Sequence, residues 1–271
     1  MEKINVIKVG GKIVEDTLSS FLDRFAAVEG LKVLVHGGGR TATSLASRLG
    51  IETKMVGGRR ITDREMLDVV TMVYGGLVNK NIVAGLQARG LDAAGFTGAD
   101  LNLIRSDRRP VGEVDYGYVG DVRAVRAEML ASLTGMGVVP VVAPLTHDGR
   151  GSLLNTNADT MAAAVAKGLA SYYDVTLTFC FEMPGVLRDP EDPSSVIPEI
   201  TASGFEELKA EAVVSGGMIP KIENALDAVR AGVSRVVITS ADALEEGTIV
   251  RLGTLSTNMP SCSADSYPSL P

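Results

Sequence analysis

The stretch LKVLVHGGGRTATSLASRLG, Leu31 to Gly50, decides the fold class. Leu31 to His36 is a short apolar run of the kind that forms a strand buried on both faces. Three glycines interrupt it, and the segment from Arg40 to Gly50 reads as an amphipathic helix. The same unit recurs on either side. INVIKVGG reads as a strand and TLSSFLDRFAAVEG as a helix, while DREMLDVVTMVYGGLVNKNIVAGLQARG reads as one long helix or two. LDAAGF, GVVPVVAPL, VTLTFC and SRVVITS are further strands, with helices after Asp159 and from Met218 to Ala231. Apolar strands alternating with amphipathic helices predict an α/β fold, a three-layer αβα sandwich around a mainly parallel sheet. PVGEVDYGYVGDVRAVR reads as antiparallel ribbon.

A chain of 271 residues is long enough for one large domain or two lobes. A composition shift after the Ala-rich helix places a boundary near Ala170. It separates an N-terminal lobe, 1–170, from a second lobe, 171–258, in which RDPEDPSSVIPEI is a surface loop; 259–271 is a Ser/Pro-rich tail. The net charge of -7, with Lys and Arg scattered, argues against nucleic acid as a partner. Cys180 and Cys262 sit in no metal or redox spacing, and with two histidines in the chain no structural zinc site is expected. INVIKV is too short for a signal sequence, and no apolar run approaches the ~18 residues of a membrane span. A cytoplasmic protein with no membrane partner is the expectation.

Three glycine-bearing junctions stand where a phosphate would bind: KVGGK (Lys8 to Lys12), HGGGR (His36 to Arg40) and SGGMIPK (Ser215 to Lys221). At each, backbone N–H groups can approach an anion beside a helix N-terminus; a tight turn without ligand is the plain alternative. GGGRTA also fits a dinucleotide pattern, but it opens the second strand–helix junction rather than the first. Glu52 comes too early to be the ribose-binding acid, so a nicotinamide enzyme is disfavoured. Lys8 lies inside an apolar strand, where a cation is costly unless it is paired or meets an anionic ligand. Lys221 falls in the first turn of a helix, where a cation opposes the helix dipole and a bound phosphate would remove the objection.

LLNTNADTMAAAVAKGLA, Leu153 to Ala170, sets Asn155, Asn157 and Asp159 at every second position before an Ala-rich helix. Capping explains such residues. So does a site, because alternate residues of an extended segment share one side.

Taken in order, KVGGK, HGGG, GGRRIT, LLNTNAD and SGGMIPKIENA closely resemble the amino acid kinase family, from about Lys3 to Gly253. The resemblance implies a catalytic group of Lys8, Lys221 and Asp159, the lysines stabilising the phosphoryl group in flight and the aspartate orienting both. It implies that Gly10, Gly11 and Gly217 meet nucleotide phosphates. It places Gly38, Gly39, Arg60, Asn155 and Asn157 around the acceptor, with Arg60 and Asn155 on its α-carboxylate. ATP is the implied cosubstrate, with Mg2+ held mainly by its phosphates and no metal site of the protein's own.

The implied acceptor is the γ-carboxylate of an N-acylated glutamate, acetylglutamate foremost. A sibling kinase of another acceptor (N-succinylglutamate, another amino acid, carbamate or a nucleotide) and a silent amino-acid-binding domain are the alternatives. Two departures stand out. CFEMPGVL carries Glu182 where the family usually has aspartate and Phe181 where it has Thr or Ser, and TGADLNLI matches only in part. IRSDRRPVGEV offers Arg105, Arg108 and Arg109 to a succinyl carboxylate, although a solvated loop cluster is the preferred reading. His36 reads as structural. The helix from Asp63 carries Met66, Leu67, Val70, Met72, Val73 and Leu77, more apolar surface than one core stripe needs. The resemblance makes this region a homodimer face. Arginine-inhibited members carry an extra helix before the first strand, so with INVIKV so near Met1 the expectation is a homodimer that arginine does not inhibit.

Overall fold

A computed structural model describes residues 1–253, apart from Gly217 and Glu245. Gly217, Cys262 and the tail from 259 therefore lie outside the described residues. The chain runs β1 (Lys3–Val9), α1 (Gly11–Asp16), α2 (Leu18–Ala27), β2 (Leu31–His36) and α3 (Gly39–Arg48). A two-stranded ribbon, β3 (Met55–Val56) and β4 (Arg59–Arg60), precedes α4 (Arg64–Val70), α5 (Asn79–Gln87) and β5 (Ala93–Phe96). Next come β6 (Ile104–Arg108), β7 (Gly120–Val125), α6 (Ala127–Gly135), β8 (Val139–Val142), β9 (Leu145–His147), β10 (Leu153–Asn155) and α7 (Ala158–Leu169). The chain continues through β11 (Asp174–Phe181), β12 (Glu199–Thr201), α8 (Ala202–Ala210), α9 (Met218–Arg230), β13 (Arg235–Ser240) and β14 (Thr248–Arg251).

Eight strands form one sheet in the order β12-β14-β13-β11-β1-β2-β8-β5. Its pairings are parallel except that of β13 with β14. Side chains alternate across it, and each face carries its own core. Ile4, Val6, Val33, Val35, Leu177 and Phe179 pack with residues of α6 to α9, whereas Ile7, Val9 and Leu34 pack with those of α1 to α5. Helices on both faces of a mainly parallel sheet make the expected three-layer α/β architecture.

The expected ribbon is corrected in detail. Its second half, β7, is a strand, but its antiparallel partner is β6 rather than the preceding PVGEVDYG. Together with β9 and β10 these make a separate four-stranded sheet. The long helical pattern is one continuous run in which Thr71–Val78, between α4 and α5, adopts the wider π geometry. By length and composition Arg64–Gln87 matches a membrane span. In the fold, its Met66, Leu67, Val70, Val73 and Ile82 are buried in the second core.

Two lysines in neighbouring strands show how burial is resolved. Lys32 in β2 is buried because its ammonium donates to the Phe25, Ala26 and Val28 carbonyls at the end of α2, the favourable pole for a cation. Lys8 in β1 is buried for a different reason.

Candidate active site

Lys8 shares the parity of Ile4 and Val6, so the pleat turns it toward the α7 side of the sheet. There its Nζ lies 2.8 Å from Asp159 Oδ1, as an ion pair rather than an aligned hydrogen bond. Asp159 occupies the first turn of α7, where the helix dipole favours negative charge. Asn157 caps that helix, its Oδ1 accepting from the backbone N–H groups of Asp159 (2.9 Å) and Thr160 (3.0 Å). Capping and site-building are thus the same geometry.

The glycines after β1 and β2 pack backbone against backbone. A Cβ on Gly37 would lie 3.1 Å from the Gly11 nitrogen, and one on Gly38 would meet the Tyr74 ring at 2.9 Å, so a side chain at either position would have to displace its neighbour. Tyr74 is delivered by the π turn. Gly38, Gly39, Arg60, Asn155 and Asn157 line one cavity of about 180 Å³. Buried Arg60 donates from Nη2 to the Gly39 carbonyl (2.8 Å) and Thr43 Oγ1 (2.9 Å), and from Nη1 to Thr53 Oγ1 (3.2 Å). Asn155 Nδ2 donates to Thr62 Oγ1 at 2.9 Å.

Alongside is a larger cavity of about 870 Å³, lined in part by Gly10, Gly11, Lys12, Arg40, Glu182 and Lys221. Glu182 joins elements distant in sequence. Its Oε2 accepts from Lys12 Nζ (2.6 Å), and its Oε1 lies 3.8 Å from Arg40 Nη2. Lys221 sits in the first turn of α9, and burial pushes its pKa down while Asp159 opposes the shift. Asp159 and Lys221 share a small crevice with Phe181.

The structure thus draws together the residues named from the sequence, apart from Gly217. Lys12, Arg40, Arg59 and Tyr74, which also line these cavities, were missed. Lys12 and Arg40 each follow directly on a glycine run, which is the signal available for them. Two of the three arginines in the loop cluster are occupied otherwise: Arg108 donates to the Gly117 carbonyl and stacks on Tyr118, and Arg109 pairs with Asp121, while Arg105 is exposed on β6.

The amino acid kinase family model matches residues 3–240 of the chain. The chain belongs to the amino acid kinase family. Acetylglutamate kinase of Phocaeicola vulgatus is 65% identical over 248 residues, covering 91% of this chain and 96% of the relative. Acetylglutamate kinase of Bacteroides thetaiotaomicron is 65% identical over 254 residues, covering 92% and 99%. Among solved structures, that of smu.665 from Streptococcus mutans superposes with a TM-score of 0.79 at 31% identity, covering 92% of this chain and 99% of that one.

In this amino acid kinase, His36 supports the glycine loop from beneath. It is fully buried, its Nδ1 bonds the Gly37 carbonyl (2.8 Å), and its Nε2 faces Asn79 Nδ2 at 3.1 Å. Asn79 Nδ2 also donates to the Val141 carbonyl, and Asn79 Oδ1 accepts from Lys80. The imidazole therefore carries its proton on Nδ1 and accepts at Nε2. Burial pushes its pKa down from 6.5 to about 4, so a second proton is resisted. Between these values the unfolded chain binds a proton that the folded chain refuses, so stability falls as pH falls. A loss on the order of 3 kcal/mol is expected from this group across that window. Urea midpoints from pH 7 to pH 4 should reveal it, and His36→Gln should flatten the dependence.

Proposed function

We propose that this kinase transfers the γ-phosphoryl group of ATP to the γ-carboxylate of N-acetyl-L-glutamate, yielding N-acetyl-L-glutamyl 5-phosphate and ADP. The observation that carries this reading is that Lys8, Asp159 and Lys221 meet around Phe181, with Lys221 lining the larger cavity beside Gly10 and Gly11, while Arg60 and Gly39 line both that cavity and the smaller one that holds Asn155. The names of the relatives from Phocaeicola and Bacteroides support the acceptor. Residues 1–170 hold the acceptor and 171–258 take most of the nucleotide.

A glutamate side chain ionises with a pKa of about 4.3 and is a nucleophilic anion at neutral pH, so no general base is needed. What opposes the reaction is the meeting of two anions. Lys8 and Lys221 supply positive charge at the transferring group, Asp159 sets the position of Lys8, and the amides after β1 and β2 donate to phosphate and carboxylate oxygens. Arg60 and Asn155 hold the α-carboxylate, with Arg60 exchanging its threonine contacts for the ligand. Among the described residues no three His, Cys, Asp or Glu side chains converge as a metal site. Bound to the nucleotide phosphates, Mg2+ would neutralise part of their charge.

The kinase works as a cytoplasmic homodimer. Met72 and Leu77, on the same helical run as buried Met66 and Val73, are 52% and 53% exposed, which supports a second copy covering this face. Light scattering should give twice the chain mass, and Met72→Asp with Leu77→Asp should return it to one.

ADP release measured over N-acetylglutamate, N-succinylglutamate, glutamate, carbamate and nucleoside monophosphates should peak with N-acetylglutamate; a higher kcat/KM for another acceptor would reassign the substrate. Lys8→Ala and Lys221→Ala should each lower kcat by roughly 10² or more, with little change in acceptor KM, and Asp159→Asn should be comparably severe. Arg60→Ala should instead raise acceptor KM about ten-fold or more, the scale of one charged hydrogen bond, leaving ATP KM nearly unchanged. A selective rise in ATP KM would place Arg60 on the nucleotide.

A further inference from the structure

The ring of Phe181 faces both site lysines. Lys221 Nζ stands 3.8 Å from its centroid and Lys8 Nζ 4.9 Å, within the range of cation–π attraction. The placement follows from sheet register. Lys8 pairs with Phe179 across the β1–β11 ladder, and Phe181 lies one pleat further on the same face, at the carboxyl end of β11. Phe179 stacks on it with centroids 6.1 Å apart and planes 14° from parallel, which fixes the ring. The next residue, Glu182, engages Lys12 and Arg40 instead.

We propose that Phe181 is a positioning residue for phosphoryl transfer, an aromatic partner that holds the Lys221 and Lys8 ammonium groups at the reacting centre. Two like charges converge there, and among the described residues the one carboxylate within 4 Å of either is Asp159, on Lys8. An electron-rich ring face offsets the cost of half-burying Lys221 as a cation. It also contributes no lone pair, so it does not compete with a phosphoryl oxygen for the ammonium as a second carboxylate would. A merely space-filling residue would serve equally well as leucine and would be indifferent to the electron density of the ring.

The inference rests on the phosphoryl-transfer reading above, and its test separates the two. Phe181 is replaced in the full-length protein by 4-fluoro-, 3,5-difluoro- and 3,4,5-trifluorophenylalanine, which drain the ring face with little change of shape. The expected result is a stepwise fall in kcat, reaching about ten-fold for the trifluoro ring, with the melting temperature and acceptor KM unchanged. The alkaline limb of the kcat profile should move to lower pH, because a weaker ring favours the charged lysine less. The charged groups around Lys221, namely Lys8, Asp159 and Glu182, are the same in every variant. Phe181→Tyr should keep most of kcat and Phe181→Leu should lose at least as much as the trifluoro ring, while trifluorophenylalanine at Phe21, in the other core, should have no effect. Wild-type kcat and an unmoved alkaline limb across the fluorine series would overturn the proposal. Should the unsubstituted protein release no ADP with any acceptor, the kinase reading itself fails. The ring contact is then read from the pKa of Lys221 by NMR of 13C-lysine protein: a lower value in the trifluoro protein supports the contact, and an equal value overturns it.

Discussion

The ion pair between Lys8 and Asp159 fixes the centre of the molecule. It joins the central strand of the large sheet to the amino end of the helix packed over it. A lysine on that face of β1 is surrounded by Val, Ile and Phe side chains, so its charge must be answered locally or the strand could not be buried there. Asp159 answers it from a position where the Asn157 cap and the α7 dipole already favour a carboxylate. Removing either partner would leave a charge buried without its counterpart, which costs more than the pair itself contributes.

Around that pair the topology does the rest. β1 lies between β11 and β2, so the chain leaves the sheet at three adjacent carboxyl ends: Gly10 and Gly11, Gly37 to Gly39, and Phe181 with Glu182. In a parallel sheet these ends face the amino termini of the connecting helices, and α1, α3 and α7 all point their free N–H groups there. Glycine suits Gly37 best, because there the loop after β2 comes closest to the backbone of the loop after β1. The two cavities adjoin at this junction, sharing Gly39 and Arg60, and Lys221 lines the larger of them.

Much of this is written locally. Buried strands declare themselves as apolar runs, and Lys8 is conspicuous as the cation within one. Asn157 and Asp159 precede an Ala-rich helix in the pattern of a cap. What escaped local reading depends on distance. Glu182 meets Lys12 across 170 positions, and nothing near either residue announces the other. Phe181 stands out in the sequence only as a departure from the family pattern, because its partners, Lys8 and Lys221, arrive from other elements. The β3–β4 ribbon is too short for a periodicity, and β6 reads as loop because its exposed Arg105, Asp107 and Arg108 outnumber its buried side chains. The π turn at Thr71–Val78 leaves no mark in the apolar pattern, which merely looks wide for one helix stripe. Part of that width is the exposed Met72 and Leu77.

Two ion pairs in this site look alike on paper and differ in physical weight. Lys8–Asp159 is shielded, with side chains 8% and 19% exposed, whereas Lys12–Glu182 is 43% and 50% exposed despite its shorter separation of 2.6 Å. An exposed pair contributes only about 0–1 kcal/mol, because water screens it and two long side chains lose freedom to make it. The aspartate-to-glutamate departure therefore adds little to the stability of the fold. Its consequence is local: the longer side chain carries its charge out to Lys12 and Arg40 at the wall of the larger cavity. The face of β11 that looks toward Lys8 and Lys221 is left to the uncharged ring of Phe181. Side chains at the end of β11 are thus divided by strand parity: Glu182 pairs with Lys12 and Arg40, and the Phe181 ring faces Lys8 and Lys221.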